Sequence, residues 1–406
     1  MSPVGKLLPK GNSLAWQRLG QLLILLAAGC LTTMTGGVVS PVLPEMIDQL
    51  HLDREWAGML VSAHALTSAA ATPLMGILAD RVGKLKVMIP CLILYAVFGV
   101  ATAFMTTFPL LLATRGLLGA ASGGVAAATI GILGGMYEGE ARSRILGYAT
   151  SAMTTSAILF PLLGGVVGGI NWQYAFYLYG LGIPLAALAA TNFQEQTGRS
   201  SSLIGTGEQS QLRTVLLKPA ILKIYLFLLM AAAIVYAVVI YTPLYLSDVI
   251  DAGPELNGFV LAIRAVGAAV IAAVGASRLG RRLGQNRAVA FGFSLMAMTL
   301  LTIPFLTELY FIIPTAVLFG VGFGVITPNL YDVLAGLAPA DLRASVLAIG
   351  TGFNSLGQFF CPIIMGLVLE KTKPIGLPAV FYAAATIAMI ASFLSLMHDR
   401  QVQLKA

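Results

Sequence analysis

Apolar residues along this chain come in long blocks, without the strict alternation of a surface strand or the one-faced rhythm of a soluble helix. A hydrocarbon layer about 30 Å thick is crossed by roughly 20 residues of helix. Twelve blocks of that order can be marked: 19–42, 57–79, 87–107, 108–135, 145–170, 174–191, 220–246, 257–277, 288–306, 310–335, 345–369 and 378–397. Gly and Pro interrupt many of them, which membrane helices tolerate when neighbours satisfy the freed backbone groups. One separating segment is long and polar, from Asn192 to Pro219. It divides the blocks six and six. The expected architecture is an all-α polytopic membrane protein, with twelve transmembrane helices in two pseudo-symmetric six-helix bundles over 1–191 and 220–406, joined by a linker over 192–219.

The halves also echo each other. Ser40-Pro41-Val42-Leu43 resembles Thr242-Pro243-Leu244-Tyr245, and Leu159-Phe160-Pro161 resembles Phe360-Cys361-Pro362. The segment Asp80-Arg81-Val82-Gly83-Lys84 reads like Ser277-Arg278-Leu279-Gly280-Arg281. Weak repetition between two six-helix halves is a mark of secondary transporters, whose solute site lies between the halves near the bilayer midplane.

Composition narrows the class. Of the residues 58% are apolar and only 10% charged, against about 25% charged in soluble domains. This excludes a soluble enzyme or a nucleic-acid binder working in water. The net charge of +7 matters less than its placement. With the N-terminus in the cytoplasm, nineteen of the 24 basic residues fall on the inner side, Lys6, Lys10, Arg199 and Lys405 among them. Arg54, Lys371 and Lys373 fall outside, and Arg115 and Arg264 fall within helices. The positive-inside rule therefore puts both termini in the cytoplasm. Trp16, Trp56 and Trp172 sit at expected helix ends, where amphipathic rings prefer the interface. The start resembles a secretory signal, even a lipoprotein one at Ala27-Ala28-Gly29-Cys30. No soluble body follows it, so a retained helix is expected. Cys30, Cys91 and Cys361 lie inside apolar blocks and read as packing residues.

The segment Gly76-Ile77-Leu78-Ala79-Asp80-Arg81-Val82-Gly83-Lys84 resembles the signature loop of the major facilitator superfamily at nearly every position. It departs at Leu85, where a second basic residue is common. Arg115-Gly116-Leu117-Leu118-Gly119 resembles that family's Arg-x-x-Gln-Gly motif, with Leu118 in place of Gln. Gly147, Ser156, Phe160, Pro161, Gly164 and Gly165 are similar in spacing to its antiporter motif, Phe160 being the departure. The end of the first block, Gly36 to Pro44, is similar to the twelve-helix drug:proton antiporter branch. The resemblance implies the major facilitator fold, alternating access and a bacterial inner-membrane location. Within it, Gly76, Asp80, Arg81, Gly83 and Lys84 form a cytoplasmic switch. The Asp80 carboxylate can meet a helix N-terminus from the other half. Pro161 flanked by Gly147, Gly164 and Gly165 suits a hinge or a seal.

Ionisable groups at membrane depth are functional candidates. Three are expected: His64, Arg115 and Arg264, each seven residues past an outer helix start, or about 10 Å deep. Basic groups there favour anionic groups or carbonyls. His64 is the candidate for proton coupling, because imidazole ordinarily titrates near pH 6.5, roughly at physiological pH. No Asp or Glu occupies a mid-helix position; Glu45, Asp48 and Asp332 lie near helix ends. Where relatives in the drug-efflux branch place an acid in the first helix, this chain has Thr32, Thr33, Met34 and Thr35. The family arrangement implies a cavity lined from the first, fourth, seventh and tenth helices. Its candidate solute-binding residues are Met34, Arg115, Tyr236, Tyr241, Arg264 and Asn329, with Asn354 and Gln358 from the eleventh helix.

No phosphate-cradling Gly-x-x-x-x-Gly-Lys-Ser/Thr and no His-x-x-x-His pair occur, so no ATP-driven pump and no zinc site are expected. The expected protein is not an enzyme and carries no metal or cofactor. It is a monomeric exporter of amphipathic small molecules in exchange for protons, in contact with lipid and not with nucleic acid. The alternatives are an uptake symporter for an organic anion and, in another class, a transport-inactive membrane sensor.

Overall fold

The computed structural model describes residues 13–137, 139–193, 212–339 and 342–403. Lys6, Lys10, Arg199, Lys405 and most of the expected linker lie outside the described residues. Twelve helices are long and apolar enough to cross a membrane. They are α1 (Gln17–Leu50), α2 (Arg54–Val82), α3 (Lys84–Phe104), α4 (Phe108–Met136), α5 (Gly147–Gly168), α6 (Trp172–Asn192), α7 (Pro219–Ile250), α8 (Pro254–Val274), α9 (Gln285–Phe305), α10 (Leu309–Leu337), α11 (Arg343–Lys371) and α12 (Leu377–Met397). The chain is a multi-pass membrane protein, and no strand occurs among the described residues.

Two boundaries differ from the sequence expectation. Helix α1 does not stop at residue 42: a 3-10 turn over Ser40–Val42 bends it and Leu43–Leu50 carries it on. Pro41 lacks an N–H, so the helix bends there instead of continuing straight. Helices α2 and α8 begin at Arg54 and Pro254, three residues before the apolar blocks start. His64 and Arg264 are therefore ten residues into their helices, about 15 Å from the end at 1.5 Å per residue. That is near the midplane of a 30 Å layer rather than one third of the way down.

Backbone geometry reveals the repeat more clearly than residue identity does. Among the described residues only His51 (φ 51°) and Asp251 (φ 52°) are non-glycines with positive φ, and they cap α1 and α7 at positions 200 apart. Gly83 (φ 111°) links α2 to α3, and Gly284 (φ 86°) links the short helix Ala276–Leu283 to α9, at positions 201 apart. The counterpart of Gly83 is thus Gly284. The sequence pairing with Gly280 is corrected: Gly280 is a buried helical residue packed against Asn329. In this register His64 answers Arg264, Gly36 answers Tyr236, and Pro161 answers Pro362.

Within each half, α4 packs on α2 and α3, and α10 packs on α8 and α9. Between halves, α5 packs on α8 and α2 on α11, while the bent end of α1 meets α7 and α8. Helix α7 is the most enclosed, with 78% of its most apolar window buried, so it lies at the centre of the molecule.

Candidate functional site

The contacts between halves gather on the face opposite the termini. Gly165 of α5 and Gly258 of α8 cross with no room for a side chain. A Cβ at Gly258 would lie 2.4 Å from the Pro161 carbonyl oxygen and 3.1 Å from Gly165 Cα, and one at Gly165 would lie 2.4 Å from the Pro254 carbonyl oxygen. The symmetry-related crossing joins α2 and α11. A Cβ at Gly366 would lie 2.4 Å from the Glu55 carbonyl oxygen, and one at Gly58 would lie 3.1 Å from Pro362 Cβ. Such small-residue crossings let membrane helices approach backbone to backbone. Arg54 of α2 donates to both carboxylate oxygens of Asp248 on α7, at 2.9 and 2.5 Å. Ser40 donates to the Val239 carbonyl, a further bond between halves.

Toward the terminal face the same helices are open. Along α2, Pro73, Leu74, Ile77, Leu78, Asp80 and Arg81 are exposed, and Gly147 of α5 has no neighbour within 4 Å. The close contacts between halves lie on the face opposite the termini, and toward the terminal face these helices are less enclosed.

Below the closed seam sits a set of polar side chains from α2, α7 and α8. His64 is buried, and its Nδ1 has no hydrogen-bond partner. Glycine at position 36 admits both the imidazole and a tyrosine from the other half. A Cβ at Gly36 would lie 3.1 Å from His64 Cε1 and 3.1 Å from Tyr236 Oη, so those two atoms are no more than about 6 Å apart. Tyr236 is also close enough to interact electrostatically with Arg264. Tyr241 is fully buried nearer the seam, and its Oη, Thr242 Oγ1, Asn257 Oδ1 and Arg264 Nε are enclosed without a protein partner. Each such group costs about 1–3 kcal/mol if nothing satisfies it. Of these, Thr242 and Arg264 border one cavity, where two such groups mark a place able to receive a polar molecule.

The two helical arginines differ. Arg115 has no exposure at all. Its Nε donates to the Leu60 carbonyl (2.8 Å), one terminal nitrogen donates to Tyr179 Oη (3.0 Å), and the other donates to the Thr35 carbonyl. It thereby pins α4 to α2, α6 and α1, with the Tyr179 ring centroid 5.7 Å from its Cζ. This is a bundle staple and not the open cavity wall expected of it. Arg264, half-buried, makes no hydrogen bond or ion pair among the described residues. It borders a cavity of about 30 Å³ with Val238, Thr242, Tyr245, Thr315 and Phe319, room for one or two waters.

Four other candidates make contacts of their own. Met34 is fully buried in the packing of the first bundle. Asn329 donates to the carbonyls of Val325 (2.8 Å) and Ala276 (3.2 Å), tying the inner end of α10 to the short helix. Gln358 donates to Asn354 Oδ1 (2.8 Å) along α11, both side chains half-buried. In the signature loop Asp80 and Arg81 are exposed, Gly83 takes its positive φ, and Lys84 donates to the Gly131 carbonyl (2.8 Å). Gly76 is in ordinary contact with Ala127, while Gly164, like Gly165, meets backbone directly, at Val38. The sequence reading missed Gly58, Gly258, Gly366 and the Arg54–Asp248 pair; the register of about 200 residues relates Gly58 to Gly258 and Gly165 to Gly366, and no sequence signal pairs Arg54 with Asp248.

Two six-helix halves joined at one face are the architecture of a secondary transporter. Residues 25–306 and 251–406 match the model of the Major Facilitator Superfamily. The chain belongs to that family and is a transporter, not an enzyme. It is 22% identical to the "Quinolone resistance protein NorA" of Staphylococcus aureus (strain COL) over 82% of this chain and 86% of that protein. It is 20% identical to the "Bacillibactin exporter" of Bacillus subtilis (strain 168) over 90% and 92%. Among solved structures it superposes on a bacterial homolog of the human lysosomal transporter Spinster, described as inward-facing and occupied. The TM-score there is 0.79 at 16% identity, covering 94% of this chain and 97% of that one. The D-xylose-proton symporter gives 0.76 at 14% identity, over 93% and 97%.

Proposed function

We propose that this protein exports amphipathic small molecules in exchange for protons. It acts as a monomer in a bacterial inner membrane with both termini in the cytoplasm. The observation that carries the reading is the polar cluster between halves, sealed on one face by the Gly165–Gly258 and Gly58–Gly366 crossings and less enclosed on the face that bears the termini. With the termini inside, that is a cavity loaded from the cytoplasm. The relatives named for quinolone resistance and bacillibactin export support the outward direction. Aromatic and apolar walls with a few convergent polar groups suit a medium-sized amphipathic solute.

His64 carries the proton in this scheme. It is the one titratable imidazole at midplane depth, and its Nδ1 is unpartnered beside the half-to-half contact at Tyr236. The test is purified protein in liposomes with a pH-sensitive dye inside, screened against a solute panel. A proton flux evoked by solute is expected in the native protein. In His64→Gln, gradient-driven accumulation is lost while solute binding persists. No movement of any solute against its gradient would overturn export. Normal coupling in His64→Gln would move the proton site to Glu45, Asp48 or Asp332.

A further inference from the structure

A guanidinium does not shed its proton in proteins, so a buried arginine must be answered by acceptors or by a counter-charge. Arg115 is answered by two carbonyls and a phenol. Arg264 is not. It makes no hydrogen bond or ion pair among the described residues, and its Nε is enclosed without a partner. The side chain starts about 15 Å into α8, so neither interface is within easy reach for snorkelling. The acids of the described chain stand at helix ends or in loops, as Glu45, Asp48, Asp248, Glu255 and Asp332 do. The cavity beside the guanidinium is mostly apolar, with Thr242, its hydroxyl unpartnered, Tyr245 and Thr315 as its other polar side chains, and the Tyr236 phenol lies within electrostatic reach of Arg264.

We infer that the transported solute carries an anionic group, a carboxylate or one of like charge and shape, and that Arg264 binds it. This rests on the reading of the central cluster as the solute site. A planar guanidinium presents paired N–H donors that match a carboxylate in a two-bond contact. Tyr236 and Thr242 stand placed as further donors, and the aromatic and aliphatic walls take the apolar body of the solute. The cavity beside Arg264 is far smaller than such a solute and is lined by the second half alone, so the solute body is placed outside it and only the charged group at Arg264. With no carboxylate in the cluster, a cationic group on the solute would meet an unopposed like charge.

The test uses an isosteric pair of probes, naphthoate and naphthamide, which differ in charge and little in size. Binding to the detergent-purified native protein is measured by equilibrium dialysis. A preference for naphthoate of about tenfold or more is expected, reduced to near parity in Arg264→Gln and largely retained in Arg264→Lys. Thermal unfolding of each variant separates lost binding from lost fold, and the native preference needs no variant at all. Equal binding of the two probes, binding of neither, or an undiminished preference in a folded Arg264→Gln would overturn the inference. Proton-driven export of neutral or cationic solutes, with no preference for naphthoate, would sink the anionic site and leave export standing. A clear naphthoate preference without gradient-driven export of any solute would do the reverse.

Discussion

The crossing of α5 and α8 is tight enough that a single methyl group should change which face is open. In Gly258→Ala the new Cβ would stand 2.4 Å from the Pro161 carbonyl oxygen and 3.1 Å from Gly165 Cα. Ordinary carbon contacts begin about 1 Å further out than the first of these. Both neighbours are backbone, so no side chain can swing aside, and the helices must part. Overpacking of this kind costs about 1–3 kcal/mol. The penalty falls only on the state in which the seam is closed. The helix propensity gained on replacing Gly by Ala applies in both states and cancels. A bias of 1–3 kcal/mol shifts a two-state equilibrium roughly 5- to 150-fold toward opening at the face away from the termini.

The assay is labelling of a single cysteine at Tyr241, which is fully buried under the seam, after Cys30, Cys91 and Cys361 are replaced by alanine. A membrane-impermeant maleimide is added from the sealed face. Labelling should quicken at least fivefold in Gly258→Ala and in Gly165→Ala, with turnover slowed because the return to the observed state is penalised. Gly336→Ala, which meets nothing within 4 Å, should label at the background rate. Equal labelling in all of these proteins would show that the crossing does not gate the site.

The Arg54–Asp248 pair spans the two halves but is about 40% exposed on both side chains. Breaking it by Asp248→Asn should therefore quicken the same labelling by less than fivefold, as a pair worth under about 1 kcal/mol would; a larger change would make the pair the principal clamp. Asp80→Asn should leave solute binding to the observed state intact and slow turnover, because Asp80 is exposed here and would engage only when the terminal face closes; impaired binding to the purified protein would refute that. Arg115→Ala removes the charged hydrogen bonds to the Leu60 and Thr35 carbonyls and to Tyr179 Oη, at about 1.5–3 kcal/mol each, although Tyr179 Oη still donates to the Thr35 carbonyl (2.9 Å). Its melting temperature should fall steeply while that of Arg264→Ala barely moves, and equal melting temperatures would show that the staple bears no strain.

Much of this molecule was legible in the sequence because bilayer thickness dictates helix length. The twelve spans follow from that alone, and the residues from Gly76 to Lys84 carry the family. What stayed hidden depends on contacts between residues far apart in the chain. Nothing near Gly258 says that its neighbour is Gly165, and nothing near Arg115 announces the carbonyls of Leu60 and Thr35. The pairing of residues 80–84 with 277–281 misled because Gly280 and Gly284 look alike as letters. Only the positive φ of Gly284 shows which of them turns the chain. The early starts of α2 and α8 were missed because Arg54 and Glu255 are polar, although they begin the same helices that bury His64 and Arg264.

The repeat also accounts for why one arginine is bound into the fold and the other has no hydrogen-bond partner among the described residues. Helices α4 and α10 begin at Phe108 and Leu309, in the same 201-residue register as Gly83 and Gly284, and that register sets Ala316 opposite Arg115. Across the shared frame the first half carries its fixed cation on α4 and a histidine on α2. The second half carries alanine on α10 and its cation on α8. In the first half Tyr179 of α6 supplies both a hydroxyl and a ring face to Arg115. The corresponding part of α12 offers Ala379, Val380 and Phe381, none with a polar side-chain atom. With neither a guanidinium at 316 nor a tyrosine at 380, the position that answers Tyr179, the second bundle has no staple of this kind. Placing tyrosine at Val380 should not recruit Arg264, because the guanidinium stands on α8 rather than α10; loss of naphthoate binding in Val380→Tyr would show that the two cations share one environment after all. The first half thus holds the stapled cation and a buried imidazole, the second holds the unpaired cation, and Tyr236 of the second half is seated against Gly36 of the first.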